Sequence, residues 1–361
     1  MNIFEFLEPN ADDFIYEESS IGRGFVNFNP SEIQHGSIYI LGVQNHFGTE
    51  YEFSKSILVE WWRSFKKLYP NNWKRPIWDL GVLIEGEDTS QFLYAFDEIV
   101  SSIQKNKGIL ILVGGTQALS FHIFKGLEKK FKSVCSVDKK LDLENPREEV
   151  NAKNWVSHMI LKPEHRLLNY YNFGSQIPYN QIENHDILEQ LNFQNIGLGK
   201  LIENLKKVEP YLRDSHLLSV DMGAMSSACF NSTQNTVNGL NAREICGMMR
   251  YAGLSMDLDA LHLSLADDNI KPSNAELLAE MVWYFIDAKN NMKKDGEVHR
   301  YRVQWEDEEL VFLKSNQSER WWMEVQVDGT TQRIPCEEQD YRDCLKGEIP
   351  EKWSYFFKRF F

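Results

Sequence analysis

Three short apolar runs along the chain each end in polar residues. They are Ile109-Leu110-Ile111-Leu112-Val113 before Gly114-Gly115-Thr116-Gln117, Val134-Cys135-Ser136-Val137 before Asp138-Lys139-Lys140-Leu141-Asp142, and Leu217-Leu218-Ser219-Val220 before Asp221-Met222-Gly223. Continuous apolar stretches of this length, with β-branched content, predict strands buried on both faces of a parallel sheet. Ser37 to Val43 reads the same way. Elsewhere the apolar period lengthens to that of a helix. Ile57, Leu58, Trp61, Trp62, Phe65 and Leu68 predict a helix over Ser54–Tyr69, and Phe92, Leu93, Phe96, Ile99 and Ile103 one over Gln91–Ile103. Leu119, Ile123 and Leu127 extend a third from Gly115 to Phe131; two more are expected over Asn238–Met249 and Ala275–Asp287. Residues 1–36, broken by Gly22, Gly24 and Pro30, are expected to form an irregular lead-in strapped over the domain. Residues 143–185, with Pro146, Pro163 and Pro178, are expected to supply loops and short elements. Strands alternating with helices predict an α/β fold around a mostly parallel central sheet.

The pattern changes near Asn290–Gly296, which divides an α/β domain at 1–295 from a small β-rich extension at 296–361. In the extension, Arg300–Gln304, Leu310–Lys314, Arg320–Val327 and Thr330–Ile334 read as strands, with Asp328-Gly329 as a hairpin turn. A closing helix near Glu351–Phe360 places Trp353, Phe356, Phe357 and Phe360 on one side, and these are expected to dock on the parent domain.

Composition narrows the function classes. Hydrophobic residues at 42% and charged residues at 25% suit a soluble globular protein. A net charge of −14 argues against a nucleic-acid partner. No apolar stretch approaches the roughly 18 residues of a membrane span. The acidic amino terminus does not resemble a secretory signal. Cys135, Cys229, Cys246, Cys336 and Cys344 form no Cys-x-x-Cys pair and read as reduced thiols of a cytoplasmic protein.

In open α/β sheets, ligands bind beyond the carboxyl ends of the strands, so the polar ends of the three runs should converge on one crevice. These ends resemble the motifs of the ureohydrolases, the arginase, agmatinase and formimidoylglutamase family, whose Gly-Gly-Asp-His-Ser, Asp-x-His-x-Asp and Ser-x-Asp-x-Asp segments bind two manganese ions. Asn238-Gly239-Leu240-Asn241-Ala242-Arg243-Glu244 resembles the family's downstream Gly-Leu-x-x-Arg-Glu stretch, and Ile77–Gly81 its Asp-x-Gly turn. The resemblance, over roughly residues 37 to 290, implies a three-layer α-β-α arginase-like fold and hydrolysis of guanidino or formimino C–N bonds.

The ligand positions depart from the family pattern. Asp138, Asp142 and Asp221 match; Gln117 and Lys140 stand where the family has histidines, Gly223 where it has an aspartate, and Ser226 where it has a further acid. A metal pair activates water by lowering its pKa. An ammonium offers no lone pair to such a pair. If segment 138–142 is extended, Asp138, Lys140 and Asp142 share one face, and the Lys140 ammonium is expected to replace the metals as counter-charge. The expected protein is therefore a catalytically inactive ureohydrolase-fold chain with no cofactor, acting as a structural or regulatory partner of another protein or of its own copies. The alternatives are a hydrolase with a rebuilt site on Asp138, Asp142 and Asp221, and a small-molecule binding module. His122, His158, His165, His185, His216 and His262 read as structural or exposed, with His158 and His165 the one pair worth inspecting. The glycine-poor loop His46–Glu52 and the extension are candidate partner surfaces.

Overall fold

The computed structural model describes residues 6–10, 14–24, 26–28, 32–45, 47–49, 55–84, 88–265, 273–305, 308–327, 330–350 and 352–355. In chain order the first elements are β1 (Leu7–Glu8), α1 (Ile21–Gly24), β2 (Val26–Phe28), β3 (Ile38–Val43), α2 (Lys55–Lys67), β4 (Ile77–Leu83), α3 (Thr89–Lys105), β5 (Ile109–Gly114), α4 (Ala118–Gly126) and β6 (Lys132–Val137). They are followed by α5 (Trp155–Leu161), β7 (Leu167–Ser175), α6 (Ile182–Gln190), β8 (Gln194–Gly197), α7 (Leu198–Glu203), α8 (Glu209–Arg213), β9 (Leu217–Asp221), α9 (Ala242–Gly253), β10 (Ala260–Ser264) and α10 (Ser273–Asn291).

The strands form one ten-stranded sheet in the order β1-β4-β3-β5-β10-β9-β6-β7-β8, with β2 also on β4. Every pairing is parallel except β1 with β4. The expected runs are its centre: β3, β5, β6 and β10 are buried at every position. Each face carries its own helical layer. Trp61, Trp62 and Phe65 of α2 join one core with Met248, Met249, Val282 and Phe285 of α9 and α10. Phe92, Phe96 and Ile99 of α3 join the other with Phe124 and Trp155. Full burial of such side chains stabilises the fold by roughly 2–3 kcal/mol each.

Register fixes which strand ends meet. His262 lies beside Leu112 on one side and Ser219 on the other, and Ser219 lies beside Ser136. One step or two further on, Gly114, Asp138 and Asp221 leave the sheet at the same edge.

Several expectations are corrected in detail. The lead-in contributes two strands, since β1 and β2 both pair with β4. The helix after Gly115 ends at Gly126 rather than Phe131, because Leu127 turns to extended backbone so that the chain can return to β6. Residues 143–185 contain β7, a full member of the sheet; its alternating Asn and Tyr residues near the sheet's outer side hid it from a search for apolar runs.

Beyond α10, β11 (Val298–Trp305), β12 (Glu308–Ser315), β13 (Trp321–Val327) and β14 (Thr330–Cys336) form an antiparallel sheet in sequential order, followed by α11 (Glu338–Cys344). Phe312, Trp321, Met323, Cys336 and Cys344 form its own apolar core. The Asp328-Gly329 turn and residues 356–361 lie outside the described residues. Trp353 packs on this sheet's core, 6.2 Å from the Trp305 ring, while Lys352 sits 3.6 Å over Tyr211 of α8. Arg213 ties the two sheets together: it donates to the Trp321 carbonyl at 2.9 Å and pairs with Glu209 at 2.6 Å. All five cysteines are free thiols.

Candidate functional site

Asp138 follows β6, is buried, and accepts the Lys140 backbone N–H at 2.7 Å. The chain then turns through Asp142, whose φ of 47° is left-handed, and this swings its carboxyl back beside Asp138. Trp155, the first residue of α5, donates its indole N–H to Asp142 Oδ2 at 2.8 Å. Asp221 ends β9 and accepts the Gly223 N–H at 2.8 Å. At the amino end of α4, the side chain of Gln117 reaches into the same place. One end of its amide lies 2.7 Å from Asp138 Oδ2 and 2.9 Å from Asp142 Oδ2, and the other end 3.2 Å from Ser219 Oγ.

From Ser219 a buried chain runs inward. Ser219 Oγ lies 2.8 Å from Ser120 Oγ, which lies 2.7 Å from His262 Nδ1; His262 Nε2 lies 3.0 Å from the Gly114 carbonyl. Gly114 itself has φ 101°, and a Cβ there would stand 2.2 Å from the Val43 carbonyl, so only glycine fits.

The amide is oriented by what it faces: its nitrogen donates to Asp138 and Asp142, and its oxygen accepts from Ser219 Oγ. Ser120 Oγ donates to Ser219, and His262 lies within hydrogen-bond distance of both Ser120 and the Gly114 carbonyl. Burial holds His262 down to about 4, so it stays neutral. Burial, followed by the charges of Asp142 and Asp221, pushes Asp138 well above the usual carboxylate range. Asp142 is raised too, again mainly by burial, and shares a hydrogen bond with Asp138. Burial thus disfavours ionisation of both members of the carboxyl pair.

Lys140 does not sit between the carboxyls. The alternation that would have turned Asp138, Lys140 and Asp142 to one side breaks because residues 138–142 are not a strand: Lys140 is exposed, and its charge lowers the pKa of Asp142 and Asp221 only as a lesser influence than burial. The buried lysine is Lys139, 5% exposed, which donates to the Gln234 carbonyl and packs 5.4 Å over the Tyr179 ring. Its charge acts on Asp221 more strongly than that of Lys140, yet burial still raises the Asp221 pKa. Gly223 contributes backbone only. Ser226 Oγ donates to the Val237 carbonyl at 2.9 Å. Asn235 closes the same loop on the Met222 and Met225 carbonyls at 2.7 and 2.8 Å.

The remaining histidines are structural. His122 pairs with Asp97 at 2.9 Å, His158 Nε2 lies 3.0 Å from the Glu148 carbonyl, and His165 stands edge-on to Phe121 and Phe124. His185 lies against Asn195, and His216 accepts the Ser133 N–H. His262 and Ser120 were missed as members of the network. Their one sequence signal was a histidine and serines inside apolar runs, which reads equally as ordinary core. Among the described residues, no group of three or more His, Cys, Asp or Glu side chains is arranged to hold a metal ion.

A sequence model of the arginase family matches residues 28–286. The chain belongs to the arginase family. Its fold agrees with solved members at low identity. Formimidoylglutamase from Bacillus subtilis subsp. subtilis str. 168 superposes with TM-score 0.68 at 12% identity, covering 81% of this chain and 98% of that one. Trypanosoma cruzi formiminoglutamase gives 0.63 at 13%, covering 72% and 95%. Agmatine ureohydrolase of Thermoplasma volcanium gives 0.58 at 16%, covering 71% and 90%. No curated protein matches the chain by sequence. The arginase-family match ends before β11, so the antiparallel sheet lies outside it. Among the described residues no helix is long and apolar enough to cross a membrane.

Proposed function

We propose that this arginase-family chain is catalytically inactive and acts through its surface, as a structural or regulatory partner of another protein or of further copies of itself. The observation that carries the reading is the Gln117 amide seated between Asp138 and Asp142. Trypanosoma cruzi formiminoglutamase is described with manganese, and a manganese pair needs ionised carboxylates and neutral imidazoles. This donor set does not fit one. An amide stands at position 117, a glycine without a donor at 223, and the lysine at 140 points outward. Burial disfavours ionisation of the carboxyl pair, which is already satisfied by Gln117 and Trp155. A cation entering here would have to ionise the pair and break those contacts.

A hydrolase of linear amidines with a site rebuilt on Asp138, Asp142 and Asp221 is the rival reading, favoured by the fold shared with formimidoylglutamase and agmatine ureohydrolase. Elemental analysis, melting with added manganese or EDTA, and assays for urea and formamide release separate the two. The inactive reading expects no stoichiometric metal, an unchanged melting temperature, and no product from arginine, agmatine or formimidoylglutamate. Stoichiometric manganese together with product release overturns it. Light scattering, and purification from the native cell with whatever co-elutes, test the partner half.

A further inference from the structure

At the end of the main sheet opposite the carboxyl cluster, where the strands begin, there is a cavity of about 600 Å³. Its lining gathers Arg75, Lys105, Lys107, Lys129 and Lys289 against Glu128 and Asp259 alone, in a protein whose net charge is −14. The five cations come from separate parts of the chain: the turn before β4, the end of α3, the turn after α4, and the last turns of α10. Two of them are held in place. Lys289 is 3% exposed and donates to the Ser255 carbonyl, and Arg75 donates one guanidinium nitrogen to the Gly36 carbonyl at 2.8 Å. Lys129 pairs with Asp259 at 3.1 Å. Lys105 and Lys107 stand exposed at the rim.

The ordinary role of cations at this edge is to offset helix dipoles. Helices α3, α4 and α10 end here, and each carboxyl end carries about half a negative charge. Those half-charges, and Asp257 which also faces Lys289, offset part of this charge, but the lining itself holds five cations against two carboxylates. The surplus lies in a partly enclosed space, and burial lowers both the Lys289 ammonium, to about 7, and the Arg75 guanidinium. The volume falls within the range of small-molecule sites. Ile109, Leu258 and Met292 give it an apolar floor, and a guanidinium is suited to two oxygens of one oxyanion.

We propose that this cavity binds a small, multiply charged anion through its phosphoryl or carboxylate oxygens. The anion supplies the missing counter-charge to Lys289 and Arg75, while Lys105 and Lys107 close over it from the rim.

Calorimetry on the full-length protein at fixed ionic strength tests this, with inorganic pyrophosphate and citrate as the two probes. Saturable one-to-one binding is expected for at least one probe, and which one binds distinguishes phosphoryl from carboxylate recognition. In the double variant Lys105→Glu/Lys107→Glu, whose rim side chains are exposed, affinity should fall at least about tenfold. A second readout does not depend on a variant folding. Lys289 faces Arg75, Lys129, Asp257 and Asp259, and an anion beside it should restore its charge. At about pH 8, where citrate is fully ionised, citrate binding measured in buffers of different ionisation heat should therefore take up close to one proton. Absence of saturable binding by either probe, affinity unchanged in the double variant, or citrate binding without proton uptake overturns the proposal.

Discussion

Replacing Gln117 by leucine tests what now occupies the place between the carboxyl groups. Leucine keeps much of the volume but removes both polar ends of the amide. The three contacts at 2.7, 2.9 and 3.2 Å are lost, and Asp138, Asp142 and Ser219 each lose a buried partner. Net hydrogen bonds contribute about 1 kcal/mol each, and a buried polar group left unsatisfied costs about 1–3 kcal/mol. Because Asp138 and Asp142 still contact each other and Trp155 still holds Asp142, the sum is limited to about 3 kcal/mol. The comparison is Lys140→Ala, which removes an exposed side chain and should cost less than about 0.5 kcal/mol. Urea unfolding at neutral pH, followed by tryptophan fluorescence, reads both. A Gln117→Leu cost below about 0.5 kcal/mol, or a larger cost for Lys140→Ala, would refute the amide-for-metal account and return the counter-charge role to the lysine.

Other outcomes follow from single residues. Asp79 is buried, accepts the Gly81 N–H at 2.7 Å, and has its pKa raised by burial to about 6 against 3.8. The folded state therefore binds the proton more tightly, so stability from this group is present below pH 3.8 and is lost as pH rises through about 6. Relative to Asp79→Asn, the wild type should lose about 3 kcal/mol across that window, and parallel pH curves for the two would contradict this. Gly114→Ala should cost more than about 3 kcal/mol, seen as loss of soluble folded protein, because its Cβ would stand 2.2 Å from the Val43 carbonyl at a left-handed φ. Arg213→Ala removes the Trp321 carbonyl bond and leaves Glu209 with Arg320, at 3.6 Å, as its remaining ion-pair partner. Loosening the antiparallel sheet by about 1.4 kcal/mol should speed proteolytic cutting between α10 and β11 roughly tenfold, and unchanged cutting would show that other contacts carry the docking.

Much of the architecture was legible because strand burial on both faces forces continuous apolar runs, and β3, β5, β6 and β9 announced themselves that way. The helix expected over Asn238–Met249 is α9, shifted to Ala242–Gly253, where a capping box of Asn241 with Glu244 fixes its start. Position β7 in the sheet was not legible, since its Asn and Tyr residues satisfy themselves against neighbours far away in sequence. Nor was the short stop of α4 or the pairing of β1 and β2 with β4, which depend on where the chain has to return.

At the candidate site the sequence by itself determined which ligand types had been lost: an amide at 117, an ammonium at 140, no side-chain donor at 223. Which of the replacements occupies the space between Asp138 and Asp142 was decided only by the tertiary structure. Side-chain alternation holds while a segment is extended; β6 ends at Val137 and the Asp138 carboxyl turns the chain by accepting the Lys140 N–H, which leaves Lys140 exposed and Lys139 buried. The burial that brings two carboxyls together also raises their pKa, beside a hydrogen-bonded chain to His262 contributed by three strands and a helix that meet only in the folded sheet.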